Sequence, residues 1–271
     1  MSLYSAVAPL PVNRIKNRLF DPDARNYILR VEAADGQPLE RQVRGAINSF
    51  VIGCKQDGIW SAIRASCIMA GARTLSGALI PLIGNAPSTS TFVSGDYNRK
   101  TGLLGDGSTK SISTGYVSNT FFQQNNHHLS VYVASAPASS ATTKVFLGNQ
   151  SALGSRLFIA KNASDQFAAR LAATTTAINV SGQGTTTGFK GGARSSSTAV
   201  IARSAQTNTS TSITSAAIAS SLNIFVFAGG FSNQNLCDAR MSFYSMGDNL
   251  DLALLDTRVT TLMNAIAIAL A

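Results

Sequence analysis

The period of the hydrophobic positions changes several times along the chain. Residues 1–30 contain Pro9, Pro11 and Pro22 and little periodicity, which predicts an extended arm with one strand at Asn26–Ala33. Asp35-Gly36-Gln37-Pro38 marks a turn that closes this N-terminal arm at 1–38. From Leu39 the apolar positions Leu39, Val43, Ala46/Ile47, Phe50/Val51 and Cys54 fall at helical spacing. Asp57-Gly58 breaks that helix, and Ile59, Trp60, Ile63, Cys67 and Ala70 form a second helical face. The pair predicts a helical hairpin within 39–84, with Trp60 as a packing anchor and Leu79–Gly84 as an extended apolar connector. Residues 85–91 read as a domain boundary.

Beyond Phe92 the texture becomes short alternating runs separated by Gly, Asn, Ser and Thr. Twelve candidate strands follow: 92–93, 103–104, 112–113, 127–134, 144–147, 156–161, 167–172, 177–180, 187–190, 198–202, 224–228 and 240–244. This spacing argues for an antiparallel sandwich over 92–248. Leu129, Val131 and Val133 alternate with Ser130 and Tyr132, as in a strand buried on one face. The hydroxyl-rich stretches 195–198 and 207–214 also read as β, because Thr suits a pleated surface. Residues 249–271 turn helical again, with Asp248 or Asn249 as cap. Leu252, Leu255, Val259, Leu262, Ile266 and Ala269 repeat at a and d positions. That stripe suits either a helix laid on the rest of the chain or one pairing with its copies.

Composition narrows the chemistry. The 271 residues include 13% charged ones, and Glu32 and Glu40 are the only glutamates. Polarity comes from 33 Ser and 23 Thr instead. The net charge of +9 is spread along the chain rather than clustered, which opposes specific nucleic-acid binding. The three cysteines, Cys54, Cys67 and Cys237, show no CxxC spacing and read as small core residues. The start lacks a signal-peptide pattern, and no uncharged apolar run reaches a bilayer's width. The expectation is therefore a chain made in a cytoplasm, without membrane insertion.

The β part resembles laminin-G-like, concanavalin-A-like jelly rolls. The resemblance rests on Gly102-Leu103-Leu104-Gly105-Asp106-Gly107-Ser108-Thr109-Lys110, His128–Val133, and Arg240–Gly247 followed by Leu250–Leu255. With the flanks Ala46–Lys55, Asp96–Lys110 and Asp251–Val259, the chain looks like structural proteins of tailed bacteriophages, including cyanophages. The fold class expected is mainly β: a concanavalin-A-like jelly-roll sandwich preceded by an extended arm and a small helical hairpin, with a C-terminal helix.

Jelly rolls of this kind include glucanases, so a carboxylate pair is the first chemistry to seek. A retaining pair needs carboxyls about 5–5.5 Å apart. Residues 91–248 contain only Asp96, Asp106, Asp165, Asp238 and Asp248, mostly in turn-like segments, and this opposes a glycosidase. Asp106, between two glycines, reads as a turn residue. His127 and His128, the only histidines, point to opposite faces of a strand and cannot share one metal. Laminin-G relatives often bind calcium, but five dispersed aspartates do not support such a site. Gly182-Gln183-Gly184 and Gly188 lack the strand–helix context of a nucleotide loop.

No catalytic, cofactor-binding or metal-binding residue is named on this basis. The expected function is a non-enzymatic virion structural protein, an exterior capsid decoration, cement or tail-associated subunit assembled in the host cytoplasm. Its expected partners are other virion subunits and its own copies, with a trimer favoured. The alternative is a carbohydrate-binding adhesin that touches a host surface glycan. Tyr97, Tyr116, Tyr132 and Tyr244 are its aromatic candidates, mostly explained by core packing.

Overall fold

A computed structural model describes residues 20–89, 91–149, 156–218, 221–229 and 234–271. Residues 1–19 of the expected arm lie outside the described residues. The remainder of that arm is helical, not extended: α1 spans Pro22–Asp35, where a strand was expected at Asn26–Ala33. Asp21 caps it by accepting from the Asp23 N–H, Pro22 opens its first turn, and Gly36 ends it at φ 68°. A residue in that left-handed region closes a helix at little cost only when it is Gly. Ala24, Tyr27, Ile28 and Val31 form its buried stripe.

Helix α2, Arg41–Gln56, forms where the spacing predicts it and buries Val43, Ala46, Ile47, Phe50, Val51 and Cys54. Its expected helical partner does not exist. A 3-10 turn at Trp60–Ala62 leads into strand β1, Ile63–Ile68. The hairpin is formed by α1 and α2 instead. β1 misleads because both of its faces are buried: Ala65 and Cys67 face one core, and Ile63 and Ile68 the other. A strand apolar on both sides has no period-2 signature.

Beyond β1 come a short helix α3 (Leu75–Ala78) and β2 (Pro81–Ile83), so the Leu79–Gly84 connector holds an edge strand. Then follow β3 (Tyr97–Asn98), β4 (Gly102–Leu104), β5 (Ile112–Val117), a helical turn α4 (Ser118–Phe121), β6 (His127–Ser135) and β7 (Lys144–Asn149). Next are β8 (Arg156–Lys161), β9 (Phe167–Ala173), β10 (Ile178–Val180), β11 (Gly188–Arg194), β12 (Ala199–Ser204) and β13 (Thr207–Ser212). The chain ends with β14 (Asn223–Val226), β15 (Arg240–Gly247) and helix α5 (Leu252–Ala269). The expected strand at Phe92–Val93 does not form; Phe92 is a core side chain outside any strand.

The strands make an antiparallel sandwich. Sheet A runs β13-β12-β11-β6-β15-β1-β2, with β4 beside β15 and β3 beside β4. Sheet B runs β10-β9-β8-β7-β14-β5. Because β1 pairs with β15 over Ile63–Ile68, the 39–84 region contributes a strand to the sandwich, and the 85–91 stretch does not separate two cores.

Two cores share sheet A. Between the sheets lie Leu129, Val131, Val133, Phe146, Leu157, Ile159, Phe167 and Met241. On the other face of sheet A, Phe189, Ala193 and Phe243 meet Val31, Phe50, Leu255, Val259 and Ile266 from the three long helices. β6 is therefore buried on both faces rather than one, with Ser130 and His128 covered as fully as Leu129.

The C-terminal stripe is spent inside the chain. Leu252, Leu255, Val259, Leu262 and Ile266 are all buried, packed on α2 and β11. By length and hydropathy α5 could span a membrane, yet Asp256 and Arg258 interrupt it. Each is ion-paired, Asp256 to Arg203 of β12 at 2.8 Å and Arg258 to Asp57 at 2.7 Å.

Candidate functional site

Four of the sandwich aspartates lie near one another, yet each is occupied: Asp96 and Asp106 both bind Lys110, Asp238 packs on Gly107, and Asp238 and Asp165 bind neighbouring residues of the 138–140 segment. Asp106 Oδ1 accepts from the backbone N–H groups of Ser108, Thr109 and Lys110 at 2.9, 2.8 and 3.0 Å. Burial alone would raise its pKa, but the Thr109 hydroxyl and those N–H groups hold it well below the usual carboxylate range. Asp96 pairs with Lys110 and accepts from the Val93 N–H. Burial opposes its ionisation, and the lysine and that N–H outweigh it, lowering its pKa. Asp165 pairs with Lys161 at 2.6 Å, and the lysine, together with the Ser139 hydroxyl, lowers its pKa. Asp238 pairs with Lys144 at 2.6 Å, and Asp248 sits 3.5 Å from Arg64. The expected turn role of Asp106 is what its hydrogen bonds perform.

The histidines are both fully buried on opposite faces of β6. The His127 Nδ1–H donates to the Gln123 carbonyl at 2.7 Å, and its ring lies 5.7 Å from that of Phe122. The His128 Nδ1–H donates to the Asp248 carbonyl at 2.6 Å, and its Nε2 accepts from the Ser245 hydroxyl at 2.8 Å. A carbonyl can only accept, so each Nδ1 carries the proton. Burial pushes both pKa values down to about 4. Neither ring reaches solvent, so neither can relay a proton to a bound molecule.

The cysteines are free and buried, with thiols pushed up by burial, to about 12 for Cys54 and Cys237. Among the described residues no three His, Cys, Asp or Glu side chains gather as a metal set would require.

Two cations of the sandwich are buried without a carboxylate. Lys190 and Arg194 of β11 point between the sheets. The Arg194 Nε donates to the Leu171 carbonyl at 2.8 Å, and its Nη1 to those of Ser196, Ser197 and Ile213 at 3.2, 3.1 and 2.9 Å. Lys190 reaches the Gln183 carbonyl and the Thr186 and Ser204 hydroxyls. Burial lowers its pKa to about 8. Neither has a carboxylate partner among the described residues. At i and i+4 both face the same side of the strand. In sequence, Lys or Arg at such a spacing reads as the wet face, and nothing there signals burial.

The tyrosines proposed as glycan platforms are structural. Tyr244 is buried, the Tyr97 hydroxyl donates to the Ala72 carbonyl at 2.7 Å, and the Tyr116 hydroxyl accepts from the Asn85 N–H at 2.9 Å. Tyr132 packs against the helix–sheet core.

Surface concavities lie on both sides: one of about 340 Å³ on the sandwich is lined by Ser88, Thr89, Thr91, Ser111, Ser113 and Phe225, without a charged or tyrosine side chain. On the helical side, a cleft of about 320 Å³ is lined by Asn26 and Arg30 of α1, Trp60, Ser61 and Leu82. Trp60 is half-buried with the Lys55 ammonium 5.6 Å from its ring centroid, so it packs as expected and also borders open space. Lys55 in turn pairs with Asp21 and Asp23. A second groove, about 480 Å³, runs between α2 and α5 past Phe50, Leu262 and the exposed Ile268.

No family model and no curated protein matches the chain. Solved structures do. The CBM40 of a Ruminococcus gnavus IT-sialidase matches with a TM-score of 0.40 and 8% identity, covering 58% of this chain and 96% of that one. A Trypanosoma rangeli sialidase in complex with sialic acid gives 0.44 and 10%, over 77% of this chain but 34% of its own. The binding domain of a botulinum neurotoxin DC gives 0.38 and 10%, over 60% and 42%. The chain thus spans less than half of the last two proteins. Likeness at these scores concerns the β-sandwich arrangement alone.

Proposed function

We propose that this chain is a non-catalytic structural subunit of a tailed-phage particle, held in place by contact rather than acting on a substrate. One observation carries the non-catalytic part. All five aspartates of the sandwich are engaged, four with lysine or arginine and one with a loop's own N–H groups. A general acid needs a raised pKa and a nucleophile needs an open approach. Asp96, Asp106 and Asp165 have pKa values shifted downward instead. The particle assignment is supported by the sequence resemblance at Ala46–Lys55, Asp96–Lys110 and Asp251–Val259. Mass spectrometry of density-purified particles tests it. The chain is expected at a fixed, repeated copy number after high-salt washing, and its absence from particles overturns the proposal.

A second reading is saccharide binding, favoured by the Trp60 cleft. Its indole borders the Asn26 amide, the Ser61 hydroxyl and the Arg30 guanidinium, which pairs an apolar ring with hydrogen-bonding groups. Trp60 is the single tryptophan, so its fluorescence reports on this cleft alone. Saturable quenching by an oligosaccharide supports the reading, and a flat titration across neutral and acidic oligosaccharides removes it.

A further inference from the structure

The sandwich has two long edges, and they are finished differently. At one, β2 of sheet A and β5 of sheet B are laced by the chain between them. Ser88 and Ser113 exchange two backbone hydrogen bonds of 2.9 Å, and the Asn85 amide donates to the Gly115 carbonyl. β2 is three residues long and begins with Pro81. Shortness, Pro and a covering segment are the usual means of blocking an edge.

The other edge is formed by β13 over β10. β10 is again only three residues. β13 is six residues, Thr-Asn-Thr-Ser-Thr-Ser, with no charge, Pro or Gly, and it pairs with β12 without a bulge. All of it is exposed except half-buried Thr209.

The phase of the hydrogen bonds follows from the turn. Ala205 and Gln206 have φ of 49° and 61°, the two-residue hairpin loop in which both central residues are left-handed. Such a loop makes Ser204 and Thr207 a hydrogen-bonded pair, so Ala202–Thr209 and Val200–Thr211 are the next two. The Ile213 N–H donating to the Thr198 carbonyl at 2.8 Å continues the same phase. The N–H and C=O groups of Asn208, Ser210 and Ser212 therefore point away from β12. Among the described residues no hydrogen bond from these groups is found, and no strand lies beyond β13.

We infer that β13 is an interface between two copies of this chain, paired antiparallel about a two-fold axis at Ser210. That register brings all three outward residues face to face, whereas a shift of two leaves one of them unpaired. Asn208 meets Ser212 of the partner subunit, Ser210 meets Ser210 of the partner subunit, and about six backbone hydrogen bonds result. Self-complementarity favours a copy as the occupant, since a second β13 meets all three outward residues at once, and charge permits it. A chain of net charge +9 repels itself, and β13 offers an approach with no charge of its own. The nearest cation, Arg203 on β12, is held by Asp256 and by the Asn208 side chain. Because β10 packs under β13, the contact continues onto the second sheet rather than ending at one ladder. This pairing goes beyond the proposed role in a particle and stands or falls on its own.

Light scattering on the full chain over a concentration series tests it, with three variants. Wild type is expected to dimerise. Ser210→Pro removes an N–H that bonds nothing within the chain, and edge strands tolerate Pro there. It should weaken association by about tenfold or more and leave the circular dichroism unchanged. Ser210→Cys should give a disulfide-linked dimer on mild oxidation, since hydrogen-bonded cross-strand positions lie about 5.5 Å apart, within disulfide range. Thr209→Cys, facing Thr211 of the partner subunit, should not. The native cysteines are buried and do not compete. A wild type that stays monomeric, a dimer indifferent to Ser210→Pro, or cross-linking at 209 but not at 210 overturns the inference. So does a monomer that captures an unrelated extended peptide at this edge.

Discussion

The cations of the helix side and the two of β11 are held by different means. On the helix side cations meet carboxylates: Arg203 with Asp256, Arg258 with Asp57, and Lys55 with Asp21 and Asp23. Between the sheets, Arg194 and Lys190 meet carbonyls and hydroxyls instead. The carboxylate pairs join element to element, as Arg203–Asp256 joins β12 to α5. The carbonyl-held cations join a strand to loops: Arg194 gathers Ser196, Ser197 and Ile213, closing one end of the sandwich. In a chain with only two glutamates, backbone oxygen takes over part of the work that acids do elsewhere.

Removing one partner from each kind of site should separate them. The largest effect is expected for Asp256→Ala, which strands the buried Arg203 and should cost about 4 kcal/mol in urea unfolding. Converting both partners, Arg203→Met with Asp256→Leu, should restore most of that, since a well-packed apolar pair replaces a buried ion pair at little cost. Arg194→Met comes next, at about 3 kcal/mol, and no second substitution should rescue it, because the acceptors are main-chain carbonyls.

Acid offers a milder perturbation of the same interior. His127 and His128 titrate at about 4 when folded and near 6.5 when unfolded. Below 6.5 the unfolded chain therefore binds more protons. The stability present above 6.5 should fall by a few kcal/mol as pH drops toward 4, before the lowered carboxylates protonate. His128→Gln should flatten part of that slope, read as melting temperature against pH.

The smallest effect is expected at Lys190. Its pKa of about 8 lies below the unfolded value of 10.5, so stability should rise as pH climbs from 8. Lys190→Met should change stability at pH 7 by no more than about 1 kcal/mol. It should also remove that rise, measured as the difference between variant and wild type from pH 8 to 9.5.

Much of the sandwich is legible from alternation and turn residues, including β8 at 156–161 and the hydroxyl-rich β13. β1 is not, since burial on both faces erases the period that marks a strand. The α1 region reads as extended although Asp21-Pro22 and Gly36 are start and stop signals, because Pro9, Pro11 and Pro22 fall together in a stretch of little apolar periodicity. The α5 stripe fits an internal or an external partner equally, and only packing separates the two. Sequence identifies the five aspartates and their scarcity but not what each one holds. The Trp60 cleft is illegible for a similar reason, since Asn26 and Arg30 reach it from a helix whose sequence reads as a strand.

The most direct test of whether these carboxylates are structural is a turnover assay of the full chain. Progress curves would be recorded against a panel of chromogenic α- and β-glycosides. Product release is expected to match buffer alone for every glycoside, while Asp238→Asn, beside Lys144, lowers the melting temperature. Saturable hydrolysis that disappears on changing any one of Asp96, Asp106, Asp165, Asp238 or Asp248 to Asn, with melting temperature unchanged, would contradict the account.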